Sequence, residues 1–120
     1  MTVYAQTTGQ RVVSSVSLAD TSEIDLVTSD TSSTSTLESI MFTNTTAGSI
    51  NVDLIYDKAG SSVYVIHEKP VAAHDYLLLT DHNLPIPAGC LLRVKASAAG
   101  IDVTAVHIRN HANLKSIGPG

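Results

Sequence analysis

The stretch Ser49-Ile-Asn-Val-Asp-Leu-Ile-Tyr-Asp57 decides the fold of this chain. Apolar side chains occupy every second position of it: Ile50, Val52, Leu54 and Tyr56. Asn51 and Asp53 fall between them. Successive side chains of a β-strand point to opposite faces, so a period of two predicts a strand with one buried face and one solvated face.

Similar patterns recur along the chain and predict about eight short strands. Cys90–Ser97 alternates in the same way, whereas the apolar positions of Ile101–Arg109 change face midway. That strand is therefore expected either to be buried on both sides or to contain a bulge. Weaker strand patterns cover five further segments: Arg11–Leu18, Glu23–Thr28, Leu37–Asn44, Ser62–His67 and Asp75–Thr80.

Turn residues separate these predicted strands. Asp57-Lys-Ala-Gly60 and Ser97-Ala-Ala-Gly100 predict turns in which the glycine supplies a positive φ. The prolines of Leu84–Gly89 predict a stiff, extended lead-in. The hydroxyl-rich Thr28–Thr36 predicts an exposed loop, because Ser and Thr side chains compete for backbone hydrogen bonds. Short strands with turns between them are typical of a β-sandwich or a barrel.

The composition excludes several classes of protein. A chain of 120 residues is expected to form one domain. Charged residues make up only 15%, and Ser and Thr together about a fifth. A mean hydropathy of +0.17 argues against disorder. Seven Lys and Arg against 11 Asp and Glu give a net charge of −4, the wrong sign for binding nucleic acid. The first ten residues lack a signal-peptide pattern, and the longest apolar run, Tyr76–Leu79, is too short to span a membrane.

No motif predicts a catalytic or metal site. Among the five histidines only His107 and His111 have a ligand-like spacing, and a spacing of four suits a helix rather than the strand expected there. The histidines are therefore predicted to be surface residues near loops. Cys90, the single cysteine, is expected to be a small buried thiol. No Gly-x-Ser-x-Gly elbow and no phosphate-binding glycine loop is present. We expect no enzymatic activity, no catalytic residue, no metal and no cofactor.

Two regions resemble the small virion structural proteins of tailed bacteriophages. In Asp81–Ala105 a Pro87-Ala-Gly89 turn precedes a strand, Ser97-Ala-Ala-Gly100 forms the next turn, and Ile101-Asp-Val-Thr104 begins the last strand. In Ser39–Tyr56 an apolar strand ends in Thr43-Asn-Thr-Thr46, and an alternating strand follows. The resemblance implies a jelly-roll or immunoglobulin-like sandwich without catalytic residues. We therefore expect an all-β chain, a single sandwich of about eight short antiparallel strands that is jelly-roll-like.

The same resemblance implies a structural role in the virion, after synthesis in the host cytoplasm. The first expectation is a capsid decoration or cement protein that bridges major capsid subunits, as a homotrimer at local threefold points. The alternative is a neck or tail adaptor or a fibre-base accessory protein. A carbohydrate-binding module is a third reading, with only tyrosines to offer a platform: Tyr4, Tyr56, Tyr64 and Tyr76. Flexible arms are expected at 1–10 and 110–120, and they hold the candidate partner-binding residues: Tyr4, His111, Leu114 and Ile117.

Overall fold

The structure is a computed structural model that describes residues 10–29, 33–58 and 60–111. This part of the chain contains eight strands and no helix, so no helix there is long and apolar enough to cross a membrane. The strands are β1 (Gln10–Leu18), β2 (Ile24–Thr28), β3 (Ser33–Asn44), β4 (Ile50–Lys58), β5 (Ser61–Val71), β6 (Tyr76–Ile86), β7 (Cys90–Ala96) and β8 (Ile101–His111). The prediction of an all-β chain with about eight strands is confirmed.

The strands form two four-stranded sheets in which every pairing is antiparallel. Sheet I has the order β1-β8-β3-β6 and sheet II the order β2-β7-β4-β5. Between consecutive described strands the chain changes sheet at every connection except β4–β5, which is a hairpin within sheet II. Two interleaved four-stranded sheets of this order make a jelly roll, which confirms the expected sandwich.

The core lies between the sheets and contains the inward side chains of both. Its largest fully buried members from β3 are Leu37, Ile40 and Phe42, and β7 contributes Leu92 and Val94. Alternation places these residues inward because the side-chain period of a strand is two. The burial pattern of β7, in which every second residue is buried from Cys90 to Ala96, follows the sequence pattern directly.

The ambiguous segment Ile101–Arg109 becomes the central strand β8, which pairs with β1 and β3 on its two sides. The inward side chains of β8 are buried through His107, while Val106 and Ile108 face outward and are half-buried. The register shift lies in the neighbouring strand β3, at Glu38. Neither expectation is met as stated: only the inward face of β8 is buried, and the bulge lies in its neighbour β3 rather than in β8.

The prediction of an exposed loop over Thr28–Thr36 is wrong at both of its ends. Strand β2 includes Thr28, and β3 begins at Ser33. Ser29 and Ser35 are buried, and the Ser29 hydroxyl donates to the carbonyl of Ile86 at 2.9 Å. A buried hydroxyl is tolerated when it is hydrogen-bonded, and this partner lies 57 residues away in the sequence.

Two predicted turns keep their glycine geometry but differ in what they connect. Gly60, with φ of 90°, closes the β4–β5 hairpin as expected. Gly100 has φ of 114°, but β7 and β8 belong to opposite sheets, so its turn carries the chain across the sandwich. The predicted lead-in at Leu84 becomes part of β6. Pro85 is tolerated there because β6 is an edge strand.

Candidate functional site

The outward face of sheet I is almost free of charge. We use "outer face of sheet I" for the outward side chains of its four strands. Arg11 marks one end of this face in space, and Asp102 marks the other. The apolar ones are Val13, Met41, Tyr76, Leu78 and Val106, and the hydroxyl-bearing ones are Ser15, Ser39, Thr43, Thr80 and Thr104. Val13 is 63% exposed, Tyr76 58% and Leu78 48%. This face therefore presents a mixed apolar and hydroxyl surface to solvent.

Charged side chains lie at the two ends of the outer face of sheet I. At one end Arg11 Nε donates to Glu38 Oε1 at 3.0 Å, and a second bond joins Arg11 Nη2 to Glu38 Oε2. The hydrogen bond raises the pKa of Arg11 and lowers that of Glu38. At the other end the Ser17 hydroxyl donates to Asp102 Oδ1 at 2.7 Å.

The outward face of sheet II is charged along its length. Arg93 on β7 donates from Nε to Asp25 Oδ1 at 3.0 Å and from Nη1 to Asp57 Oδ2 at 3.1 Å, and Glu23 lies 3.8 Å away. Hydrogen bonding to Asp25, followed by the charges of its other acidic neighbours, raises the pKa of Arg93. Asp57 is buried although it carries a charge, because Arg93 and the hydroxyl of Ser62 satisfy it.

A second polar group on sheet II surrounds His67 on β5. Its Nδ1 lies 3.3 Å from Asp53 Oδ1, and its Nε2 lies 3.8 Å from Glu68 Oε2. The rings of His67 and Tyr64 are in contact, with centroids 4.0 Å apart and planes inclined at 34°. Asp53 also accepts the backbone N–H of Glu68, whose φ is 52°. The Asp53 carboxylate therefore holds the backbone of edge strand β5 at Glu68, where the pairing register with β4 shifts.

The described tyrosines, which are the candidates for a sugar platform, do not share one exposed face of the fold. Tyr64 is exposed on sheet II and Tyr76 is exposed on sheet I. Tyr56 is half-buried against the core beside Cys90, and its burial and the Cys90 thiol raise its pKa. Tyr4 lies outside the described residues. Cys90 itself is buried, as predicted.

The prediction that the histidines are surface residues is wrong for His107. This residue is 5% exposed, with Nε2 3.1 Å from the Ser14 hydroxyl and no hydrogen-bond partner for Nδ1. Burial, followed by the charge of Arg109, lowers its pKa from the ordinary value of 6.5. Within the described residues no group of three metal-ligating side chains exists. His107 is a core residue of β8.

The predicted partner-binding residues lie at or beyond the ends of the described chain. Tyr4, Leu114 and Ile117 are outside the described residues, and His111 is the last residue of β8. Gln10 pairs with Arg109, and His111 pairs with Ser33, so both terminal segments begin at the same end of sheet I. Strands β1 and β8 continue into the ranges 1–10 and 110–120 that were predicted as arms.

Sequence reasoning missed the outer face of sheet I as a surface. The sequence signal for this surface is the lack of charge at the outward positions of β1, β3, β6 and β8 that lie between the two charged ends of the face. That signal becomes visible only when the order of the strands is known, since consecutive segments of the sequence belong to different sheets.

Comparison with known proteins identifies the fold. No protein-family model matches the sequence, and no curated protein matches it. A chain of the T13 viral particle of infectious bursal disease virus matches 88% of this chain with a TM-score of 0.53 and 12% identity. A chain of the Gx strain of the same virus matches 87% with a TM-score of 0.50 and 15% identity. This protein spans about a third of the length of those chains. The jelly-roll sandwich thus occurs in chains of an icosahedral viral particle.

Proposed function

We propose that this protein is a structural component of the virion of a tailed bacteriophage. In this proposal it decorates the head and stabilises it by bridging major capsid subunits. The observation that carries the proposal is the uncharged outer face of sheet I, which would be the docking face. The shared fold with chains of an icosahedral particle supports a place in a virion, and the resemblance of the turn motifs supports the phage origin.

The chemistry of the docking face suits burial against another protein. Removing a charge from water costs far more than removing a hydroxyl that can find a new partner. The cores of protein interfaces are accordingly depleted in charge and enriched in Met and Tyr, and Met41 and Tyr76 lie on this face. Leu78 and Val13 add exposed apolar area. The face gains from burial without leaving an unpaired ion behind.

The terminal segments would supply the bridging contacts. Both begin at the end of sheet I where Arg11 lies, so a molecule docked by the face holds them together at one place. Tyr4, His111, Leu114 and Ile117 would contact neighbouring subunits. Binding to the assembled shell but not to free subunits shifts the equilibrium towards the shell by mass action. The protein acts mechanically and carries out no reaction.

The test is binding to phage heads that lack this protein. Leu78→Glu places a carboxylate on the docking face, while Val63→Glu makes a similar change at an exposed valine on β5 of sheet II. We expect Leu78→Glu to weaken co-sedimentation with the heads by about tenfold or more, because burying an unpaired carboxylate costs more than the 1.4 kcal/mol that tenfold represents. Val63→Glu should bind like the wild type.

Equal binding by the two variants would overturn the docking face. Electron cryomicroscopy of the complete particle tests the location separately. Density for the sandwich on the shell, with sheet I facing the major capsid protein, supports decoration. Density at the neck or tail would contradict decoration and support the adaptor or fibre-base alternative.

A further inference from the structure

The four edge strands of the sandwich differ in how they are protected from pairing with another strand. An edge strand has unpaired backbone N–H and C=O groups on one side, and natural proteins block that side with prolines, bulges, charges or short length. The edges here are β1 and β6 in sheet I, and β2 and β5 in sheet II.

Three of these edges carry such protection. Strand β6 contains Pro85 and the positive φ of Asn83. Strand β5 contains Pro70, a positive φ at Glu68 and two register shifts against β4. Strand β2 has only five residues and a register shift after Asp25. None of them offers a long, regular row of free hydrogen-bonding groups.

Strand β1 has none of these features apart from a single charge near its start, Arg11. Its nine residues pair with β8 in unbroken register from Gln10 to Leu18. It contains no proline and no charge after Arg11, and its outward Val13 is the most exposed large apolar side chain in the described part of the chain. A long, regular and uncharged edge is a template for another strand.

We propose that β1 pairs antiparallel with β1 of a second copy of this chain, across a twofold axis at Ser14. Full overlap of two nine-residue strands places their midpoints together, and the midpoint of β1 is Ser14. Val12 then lies opposite Val16 of the partner subunit, and Val13 opposite Ser15 of the partner subunit. The two copies of sheet I join into one eight-stranded sheet with a continuous outer face.

The charges at the two ends of β1 match this arrangement. Arg11 lies at the start of the strand, and Ser17 near its end holds Asp102. Antiparallel pairing about Ser14 sets Arg11 opposite Ser17 of the partner subunit, so the guanidinium meets Asp102 of the partner subunit, and the twofold axis repeats the contact. Within one chain Arg11 already reaches across β8 to Glu38 on β3, and Asp102 of the partner subunit lies two strands away in the other direction. Because the two carboxylates lie on opposite sides of β1, the guanidinium turns from Glu38 to Asp102 of the partner subunit when the dimer forms.

The first experiment measures the mass of the full-length chain by sedimentation velocity over a series of concentrations. We expect a species of twice the 12.6 kDa chain mass. Val13→Lys should raise the dissociation constant by about tenfold or more, because the two lysines would lie diagonally across the axis, about 7–8 Å apart. Val63→Lys, a matched change at an exposed valine on the protected β5 edge, should leave the constant unchanged.

A charge exchange tests the register. Arg11→Glu and Asp102→Arg should each weaken the dimer several-fold, and the double variant should recover most of the wild-type affinity. Circular dichroism and thermal unfolding establish that each variant is folded. A wild type that stays monomeric, or a Val13→Lys variant as associated as Val63→Lys, overturns the β1 contact. Failure of the double variant to recover overturns the twofold axis at Ser14. No capsid is needed, so these results are independent of the proposed function.

Discussion

Replacement of Asn44 by alanine should remove a set of hydrogen bonds that joins two loops at one end of the sandwich. Asn44 ends β3 and is 1% exposed. Its Nδ2 donates to the carbonyls of Gly48 at 2.7 Å and Val71 at 3.0 Å. Its Oδ1 accepts from the backbone N–H of Thr46 at 2.9 Å and from the Thr46 hydroxyl at 2.7 Å. Both donors and both acceptor positions of the amide are in use.

The expected loss follows from this count. A hydrogen bond contributes about 1 kcal/mol net, and a buried group left without a partner costs about 1–3 kcal/mol. The Gly48 and Thr46 groups lie in a loop that water can reach, whereas the hydrogen bond from Asn44 to the Val71 carbonyl is buried. We therefore expect Asn44→Ala to lower the free energy of unfolding by about 2–4 kcal/mol. For a domain of this size that lowers Tm by roughly 10 °C.

Aspartate at this position adds a pH dependence that separates hydrogen bonding from packing. Asn44→Asp keeps the shape and both acceptor contacts, but it directs a carboxylate oxygen at two carbonyls. Burial then raises the pKa of the new carboxyl above the unfolded value of about 3.9. The destabilisation should be complete at neutral pH and should shrink as the pH falls towards that value, because the protonated acid can again donate one hydrogen bond.

The assay is urea unfolding of Asn44→Ala and Asn44→Asp at pH 7.5 and at pH 4.5, with Asn51→Ala as the matched control. Asn51 is an exposed asparagine on β4, the next strand along the chain, and its replacement should change stability by less than about 0.5 kcal/mol. If Asn44→Ala is as stable as Asn51→Ala, the amide does not hold the loops. If Asn44→Asp is equally unstable at both pH values, the missing donor is not the cause.

Two further predictions concern the same fold. Gly100→Ala should destabilise the protein by about 2 kcal/mol or more, since the φ of 114° disfavours any side chain and the new Cβ would collide with Thr46 Cγ2. Adding Thr46→Ser to this variant should recover only the part of the loss that comes from the collision. A thermal melt of Gly100→Ala that matches the wild type would contradict both causes. His107 has a pKa lowered by burial and by Arg109, so the unfolded chain takes up the proton first as the pH falls below 6.5. Stability should therefore decline below that pH by up to about 1.4 kcal/mol per unit, and His107→Gln should flatten this decline in urea unfolding measured from pH 7.5 to 5.

The strands could be predicted because their signal is local. The alternation of β7 specifies which face is buried, whatever the partner strands are. The alternation of β4 predicts the strand, but its second face is also buried at Asp53, Ile55 and Asp57. The buried polar residues could not be predicted in this way, because what permits their burial is distant in sequence. Ser29 depends on the carbonyl of Ile86, Asp57 on Arg93, and His107 on Ser14, 93 residues away. Without knowledge of that partner, the sequence predicts each of them to be a loop or surface residue.

The Asn44 motif illustrates the same limit. Thr43-Asn-Thr-Thr46 belongs to the sequence pattern shared with phage virion proteins, and local chemistry explains half of its role, since the Asn44 side chain accepts a hydrogen bond from the backbone two residues on. The other half is the bond to Val71, which requires the end of β5 to lie beside the end of β3. The partner-binding role of Tyr4, Leu114 and Ile117 remains a prediction, because these residues lie outside the described part of the chain.

The low charge content takes on a different meaning once the sheets are known. A charge content of only 15% suggests that every part of the exterior has a low desolvation cost when it is buried. The structure instead concentrates charge on sheet II, where Arg93 joins three carboxylates and His67 joins two, and leaves the middle of sheet I without any. Exposed ion pairs contribute about 0–1 kcal/mol each, so stability gives little reason for this division. Docking does give a reason for this division of charge, because charges excluded from the docking face must be placed on the other face to keep the protein soluble. The same division leaves β1, on the uncharged sheet, as the edge without protection. The proposed docking face and the proposed twofold contact therefore share one physical origin, and a charge placed at Val13 should impair both.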